Sequence, residues 1–109
     1  MRNYLEIFQE EATEHLQALR QGIRAVEREA VRTEGMPAML RSAHTLKGSA
    51  RMLDLGDLAD LAHRVEDLLK ELEGGTLEPT AELADLLLVS TDAAEALIDP
   101  LAQFDVFLE

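Results

Sequence analysis

Apolar residues in the first third of the chain recur at gaps of three or four: Leu5, Phe8, Ala12, Leu16, Leu19, Ile23, Val26 and Ala30. That spacing places them on one stripe of a helix and predicts a first helix over about 3–32. Asn3 suits its N-cap, with Glu6 in the capping-box position. Thr33-Glu34-Gly35 interrupts the pattern, and Pro37 fits the first turn of a second helix over about 37–53. Met36, Met39, Ala43, Leu46, Ala50 and Leu53 line one side of that helix. Gly56 reads as its stop and Asp57 as the N-cap of a third helix over 57–73. The third helix carries Leu58, Leu61, Ala62, Val65, Leu68, Leu69 and Leu72, and Gly74-Gly75 ends it. Glu78-Pro79 opens a fourth helix over 79–99, with Leu83, Leu86, Leu87, Ser90, Ala94, Leu97 and Ile98 expected inward. Pro100 stops that helix, and a short fifth helix over 101–108 is compatible with the pattern.

No alternating β-branched run or hairpin turn occurs, and the connections are short. The expectation is an all-α, antiparallel up-down four-helix bundle, one domain over 1–109 without internal repeats. The 109 residues suffice for a single core. Leucine and alanine dominate, which favours helix. No stretch approaches the roughly 20 apolar residues of a membrane span. The N-terminus turns acidic within a few residues, unlike a signal or transit peptide. The chain begins at Met1 and ends within the apolar FDVFLE, as an excised module would.

Charge narrows the function classes. A net charge of −12 argues against nucleic acid and anionic membrane surfaces as partners. Zero cysteines exclude disulfides, thiolate metal sites and cysteine nucleophiles. Of ten lysines and arginines, three (Arg41, Lys47 and Arg51) fall within the stretch RSAHTLKGSAR, residues 41–51. The same stretch holds Gly48 inside a helix, where glycine costs about 1 kcal/mol relative to alanine. Such a glycine points to a need for space.

At 100° per residue, His44 lies roughly 130° from the apolar direction of the second helix. Lys47, Gly48, Arg51 and Arg41 share its side. On the third helix His63 and Glu66 are neighbours at i,i+3, both outside the leucine stripe, with Glu66 at its border. A border carboxylate can reach an imidazole on the adjacent helix. A carboxylate accepting one imidazole N–H sets the tautomer and makes the other nitrogen more basic. A lysine one turn away can neutralise an incoming phosphoryl group, and Gly48 leaves room for a partner's active site. Taken alone, His44 with Lys47 would be an ordinary solvated helix face; the glycine and the His-x-x-Glu pair shift that reading towards phosphoryl chemistry.

The stretch AHTLKGSARMLDLGDLADLAHRVEDLLKEL, residues 43–72, resembles the histidine-phosphotransfer (HPt) family. A lysine at +3 and a glycine at +4 from the phosphorylated histidine match His44, Lys47 and Gly48. Within the family the chain is most similar to the N-terminal phosphotransfer domain of CheA-type chemotaxis histidine kinases, whose His-x-x-Glu matches His63 and Glu66. It departs from many of them in having Leu53 and Leu55 where phenylalanines stand. The resemblance implies that His44 is the phosphoacceptor, Lys47 stabilises the phosphoryl group, and Glu66 with His63 forms an orienting network. Arg41 and Arg51 are expected as docking contacts.

By the same resemblance His44 takes phosphate from an ATP-dependent histidine kinase domain of the same full-length protein. It then gives the phosphate to an aspartate of a response-regulator receiver domain. No nucleotide-binding motif is present, so ATP and Mg belong to the partner kinase, the domain itself binds no cofactor, and it has no catalytic activity alone. The module is expected to be monomeric and cytoplasmic. Two other classes compete: a non-catalytic helical interaction module, and a carboxylate-bridged metal-binding bundle. The second would need two Glu-x-x-His motifs facing the core, whereas the order here is reversed, occurs once and lies off the stripe; no metal site is expected.

Overall fold

The structure is a computed structural model that describes residues 4–26 and 34–101. It contains α1 (Tyr4–Ile23), α2 (Met36–Met52), α3 (Gly56–Glu73) and α4 (Ala81–Ile98). The contacts α1–α2, α2–α3, α3–α4 and α4–α1 close a ring. Contacts between the helices establish their directions. Arg20, late in α1, reaches Asp92 and Glu95 of α4, while Gln9, near its start, bonds the carbonyl of Asp99. Those two helices therefore run antiparallel, and the short turns between α2 and α3 and between α3 and α4 reverse the chain in the same up-and-down manner. The periodic positions form the core: Phe8, Ala12, Leu16, Leu19 and Ile23 from α1 meet Met39, Leu46, Val65, Leu69, Leu87 and Ile98.

The structure differs from the sequence expectation in four places, three of them helix ends, each for a local reason. First, α1 stops at Ile23, and residues 24–26 form a turn. Ala25 and Val26 bond back only three residues, to Gly22 and Ile23, and that tightening tucks Val26 fully into the core. The expected continuation through 27–32, and the Asn3 cap, lie outside the described residues.

Second, Gly56 does not end α2 but opens α3, with Leu55 at the N-cap position and Asp57 in the first turn. The stop is Asp54, whose φ of 59° is left-handed. The amide of Leu55 bonds the carbonyl of Ala50 at 2.8 Å, and that of Asp54 bonds Arg51 at 3.1 Å. These are the paired bonds of a Schellman motif, with aspartate where glycine is usual. Gly75, with φ 83°, plays the same part after α3, where Thr76 bonds Glu71 and Gly75 bonds Leu72. The Gly74-Gly75 expectation agrees with that geometry.

Third, α4 begins at Ala81 rather than 79, because Thr80 is its cap: the Thr80 hydroxyl accepts from the Leu83 amide at 3.1 Å. Pro79 precedes the cap. Fourth, the inward face of α4 is Leu83, Ala84, Leu87, Thr91, Ala94 and Ile98, leaving Leu86, Val89 and Leu97 exposed. Leucine content alone favours Leu86 and Leu97 as core. Thr91 takes an inward place because its hydroxyl bonds the Leu88 carbonyl at 2.8 Å, so no polar group is left unsatisfied. Leu101 is buried after Pro100, and the rest of the expected 101–108 helix lies outside the described residues.

Gly22 of α1 packs against the Met39 side chain of α2. A Cβ built there would lie 2.4 Å from the Met39 sulfur, and Met39 is almost wholly buried.

Candidate functional site

Among the described residues, Glu66 is the buried side chain that carries a charge. It lies in mid-α3, between the buried Val65 and Leu69, and faces the adjoining side of α2. Its side chain is 4 % exposed. A carboxylate taken out of water needs partners on both oxygens, and α2 supplies them. Lys47 Nζ donates to Oε1 at 2.6 Å, and His44 Nδ1–H donates to Oε2 at 2.8 Å. Lys70, one turn further along α3, stands 3.9 Å from Oε2. Burial pushes the Glu66 carboxyl up, but the hydrogen bonds from Lys47 and His44, with the positive charges of Lys47 and Lys70, outweigh it. The group is held below the ordinary carboxylate range and stays ionised at neutral pH.

The two α2 donors are placed differently. Lys47 lies largely under the surface, 12 % exposed, whereas the His44 ring is 68 % exposed. An ionised carboxylate only accepts hydrogen bonds, so the Nδ1 of His44 carries the proton. The Nε2 lone pair, on the far side of the ring, is the free one. The helices thus present a solvent-facing imidazole of fixed tautomer, steered by an acid rooted in the core.

Gly48, one turn beyond His44, is exposed, and a Cβ there would meet nothing within 4 Å. The domain's own packing gives no reason for glycine at this position. Arg41 and Arg51 are exposed on α2, and neither pairs with Glu66. His63 lies apart from the cluster: its Nε2 is 3.6 Å from Asp67 on the outer side of α3. The structure therefore brings together His44, Lys47 and Glu66, adds Lys70, and leaves His63 out. Lys70 escaped the sequence reading, although its i,i+4 spacing from Glu66 was the available signal. Among the described residues no three His, Asp or Glu side chains gather as a metal ion would need.

A helical bundle that projects one histidine from mid-helix, with a buried glutamate on the next helix holding its ring, defines a histidine-bearing phosphotransfer class of domain. Comparison with known families places the chain in that class. It belongs to the Hpt domain family, whose model matches residues 3–104. It is 39 % identical over 99 residues to the chemotaxis protein CheA of Halobacterium salinarum, covering 91 % of this chain and 15 % of that protein. Identity to CheA of Bacillus subtilis is 32 % over 98 residues, covering 90 % of this chain and 15 % of the relative. Identity to the sensor histidine kinase CheAY of Helicobacter pylori is 31 % over 98 residues, covering 90 % and 12 %. The chain thus spans about 15 % of the length of these CheA proteins. Among solved structures, the CheA phosphotransferase domain from Thermotoga maritima superposes with a TM-score of 0.82. The two are 27 % identical, and the match covers 91 % of this chain and 94 % of that one.

Proposed function

We propose that the domain is a phosphoryl carrier of a chemotaxis-like two-component system and that His44 is the acceptor. The reading rests on one observation above all: an exposed imidazole whose Nδ1–H is bonded at 2.8 Å to a buried carboxylate. The Nε2 lone pair attacks the γ-phosphorus of ATP held by a separate kinase domain. A new N–P bond forms, the P–O bond to ADP breaks, and the ring, still protonated at Nδ1, becomes an imidazolium. Glu66, itself buried, stabilises that positive charge as it develops. Transfer onward to a receiver aspartate reverses the sequence: the N–P bond breaks and the ring returns to its neutral tautomer.

The chain's own residues then orient and polarise the acceptor, while ATP and Mg reside on the partner kinase domain. That domain belongs to the same longer polypeptide, as the greater length of the relatives suggests. Lys47 acts chiefly by keeping Glu66 ionised and placed. Gly48 leaves clearance for whichever partner closes over the ring, and Arg41 and Arg51 flank it as docking charges. The cytoplasm supplies ATP to such a system; no helix among the described residues is long and apolar enough to cross a membrane.

The test is incubation with a CheA-type kinase catalytic domain and labelled ATP. Acid-labile, base-stable label should appear on the domain and vanish in His44→Gln. Folded protein that takes no label, or keeps it in His44→Gln, would refute the acceptor assignment and favour a plain interaction module.

A further inference from the structure

The cluster around Glu66 holds one cation more than the carboxylate requires. Glu66 contributes a single negative charge, while Lys47 and Lys70 each bring a positive one. The two lysines are held very differently. Lys47 is largely buried, and its 2.6 Å bond satisfies an oxygen that water can scarcely reach. If Lys47 swung outward, it would strand a buried charge. Lys70 lies at 3.9 Å, beyond hydrogen-bond range, and its side chain is 58 % exposed. It pairs with Oε2, the oxygen that also accepts the His44 Nδ1–H, so Lys70 and the imidazole meet at the same carboxylate oxygen.

Resting on the carrier reading above, we infer that Lys70 is the cation that meets the phosphoryl group on His44, while Lys47 remains with Glu66. Once the ring is phosphorylated, its own positive charge is balanced by Glu66. The phosphoryl oxygens carry close to two further negative charges near neutral pH. The lysine free to turn towards them without uncovering a buried acid is Lys70. An ammonium suits that task as a compact charge on a flexible stem. Lys47 and Lys70 therefore divide between them what one +3 lysine would be expected to do alone.

The full 109-residue chain can be loaded on His44 without a kinase, using the small donor phosphoramidate. The N–P bond of the donor breaks, ammonia leaves, and the phosphoryl group moves to Nε2. Phosphorus-31 NMR then reports the pH at which the dianionic phosphoryl group takes up a proton. Removing the nearby cation in Lys70→Gln should raise that proton affinity about fivefold, the size of a partly exposed charge pair. Lys70→Arg should restore the wild-type value. Nitrogen-15 NMR of the unloaded Lys70→Gln should still show the His44 proton on Nδ1, since Glu66 and Lys47 are untouched. An unchanged phosphoryl titration in loaded Lys70→Gln would overturn the role of Lys70 and leave the carrier reading standing. A wild-type chain that never loads at His44 would instead bring down the carrier reading itself.

Discussion

Two glycines interrupt helices in this bundle, and replacing each by alanine should move stability in opposite directions. Gly48 lies in the middle of α2, exposed, and an added Cβ meets nothing within 4 Å. Alanine there gains the full helix-propensity difference of about 1 kcal/mol. For a domain of this size, that corresponds to a rise in Tm of roughly 5 °C. At Gly22 the same Cβ would fall 2.4 Å from the sulfur of Met39, a side chain with almost no exposed surface to move into. Overpacking of this kind costs about 1–3 kcal/mol, and Gly22 lies so near the end of α1 that propensity offsets little of it. Thermal and urea unfolding of Gly48→Ala and Gly22→Ala would measure both values. The functional half of the argument uses a larger residue: Gly48→Gln should fold normally yet accept phosphate from a kinase domain at least tenfold more slowly. If Gly48→Ala were destabilised, the claim that the domain itself does not need this glycine would be wrong. If Gly48→Gln were phosphorylated at the wild-type rate, the clearance argument would fail.

Three further outcomes follow from the helix ends and the charged groups. Replacing Asp54 with glycine should stabilise the fold by about 0.5 kcal/mol, the relief of a left-handed non-glycine residue less glycine's entropy cost; a lower urea midpoint would contradict the assignment of φ 59° to this residue. The Glu66 carboxyl is lowered from its ordinary value of 4.5 in the folded state, so its stabilising contribution is complete above that value and is lost as pH falls through the folded value. Unfolding free energies measured from pH 6 to 3 should therefore drop less steeply in Glu66→Gln than in wild type, and equal slopes would show that Glu66 is not the lowered group. Arg20 joins α1 to both Asp92 and Glu95 of α4 at 3.1 and 2.7 Å, so Arg20→Ala should cost about 1 kcal/mol at low salt and less at high salt; a salt-independent loss would point to packing by its aliphatic stem instead.

The bundle and its outward-facing histidine were legible because both depend on angular position around a helix, which spacing alone fixes. His44 falls outside the apolar stripe, and Glu66 at its border, whatever the neighbouring helices do. The depth of Lys47 was not legible in the same way. A lysine on a polar face normally extends into water, and only the buried carboxylate of α3 draws this one inward. The same limit explains His63, which shares a helix with Glu66 but turns to Asp67. Helix ends were misread where an uncommon residue performed a common task, as with Asp54 in place of glycine. Thr91 was overlooked because its burial depends on a hydroxyl bonding its own helix, a feature that an apolar count does not register.

Three residues, Leu53 to Leu55, separate α2 from α3, and every group of the cluster belongs to one of these two helices. The relative height of His44 and Glu66 is therefore governed by that turn. One residue inserted within α3 ahead of Glu66 would shift the acid by about 1.5 Å along the helix and turn it by 100°, enough to carry it away from the ring. Conversely, among the described residues α1 and α4 contribute surface to pack against but no side chain to the cluster around Glu66. The hairpin of residues 36–73 is thus a portable unit: transplanted onto another pair of supporting helices with its turn intact, it should bring its chemistry along.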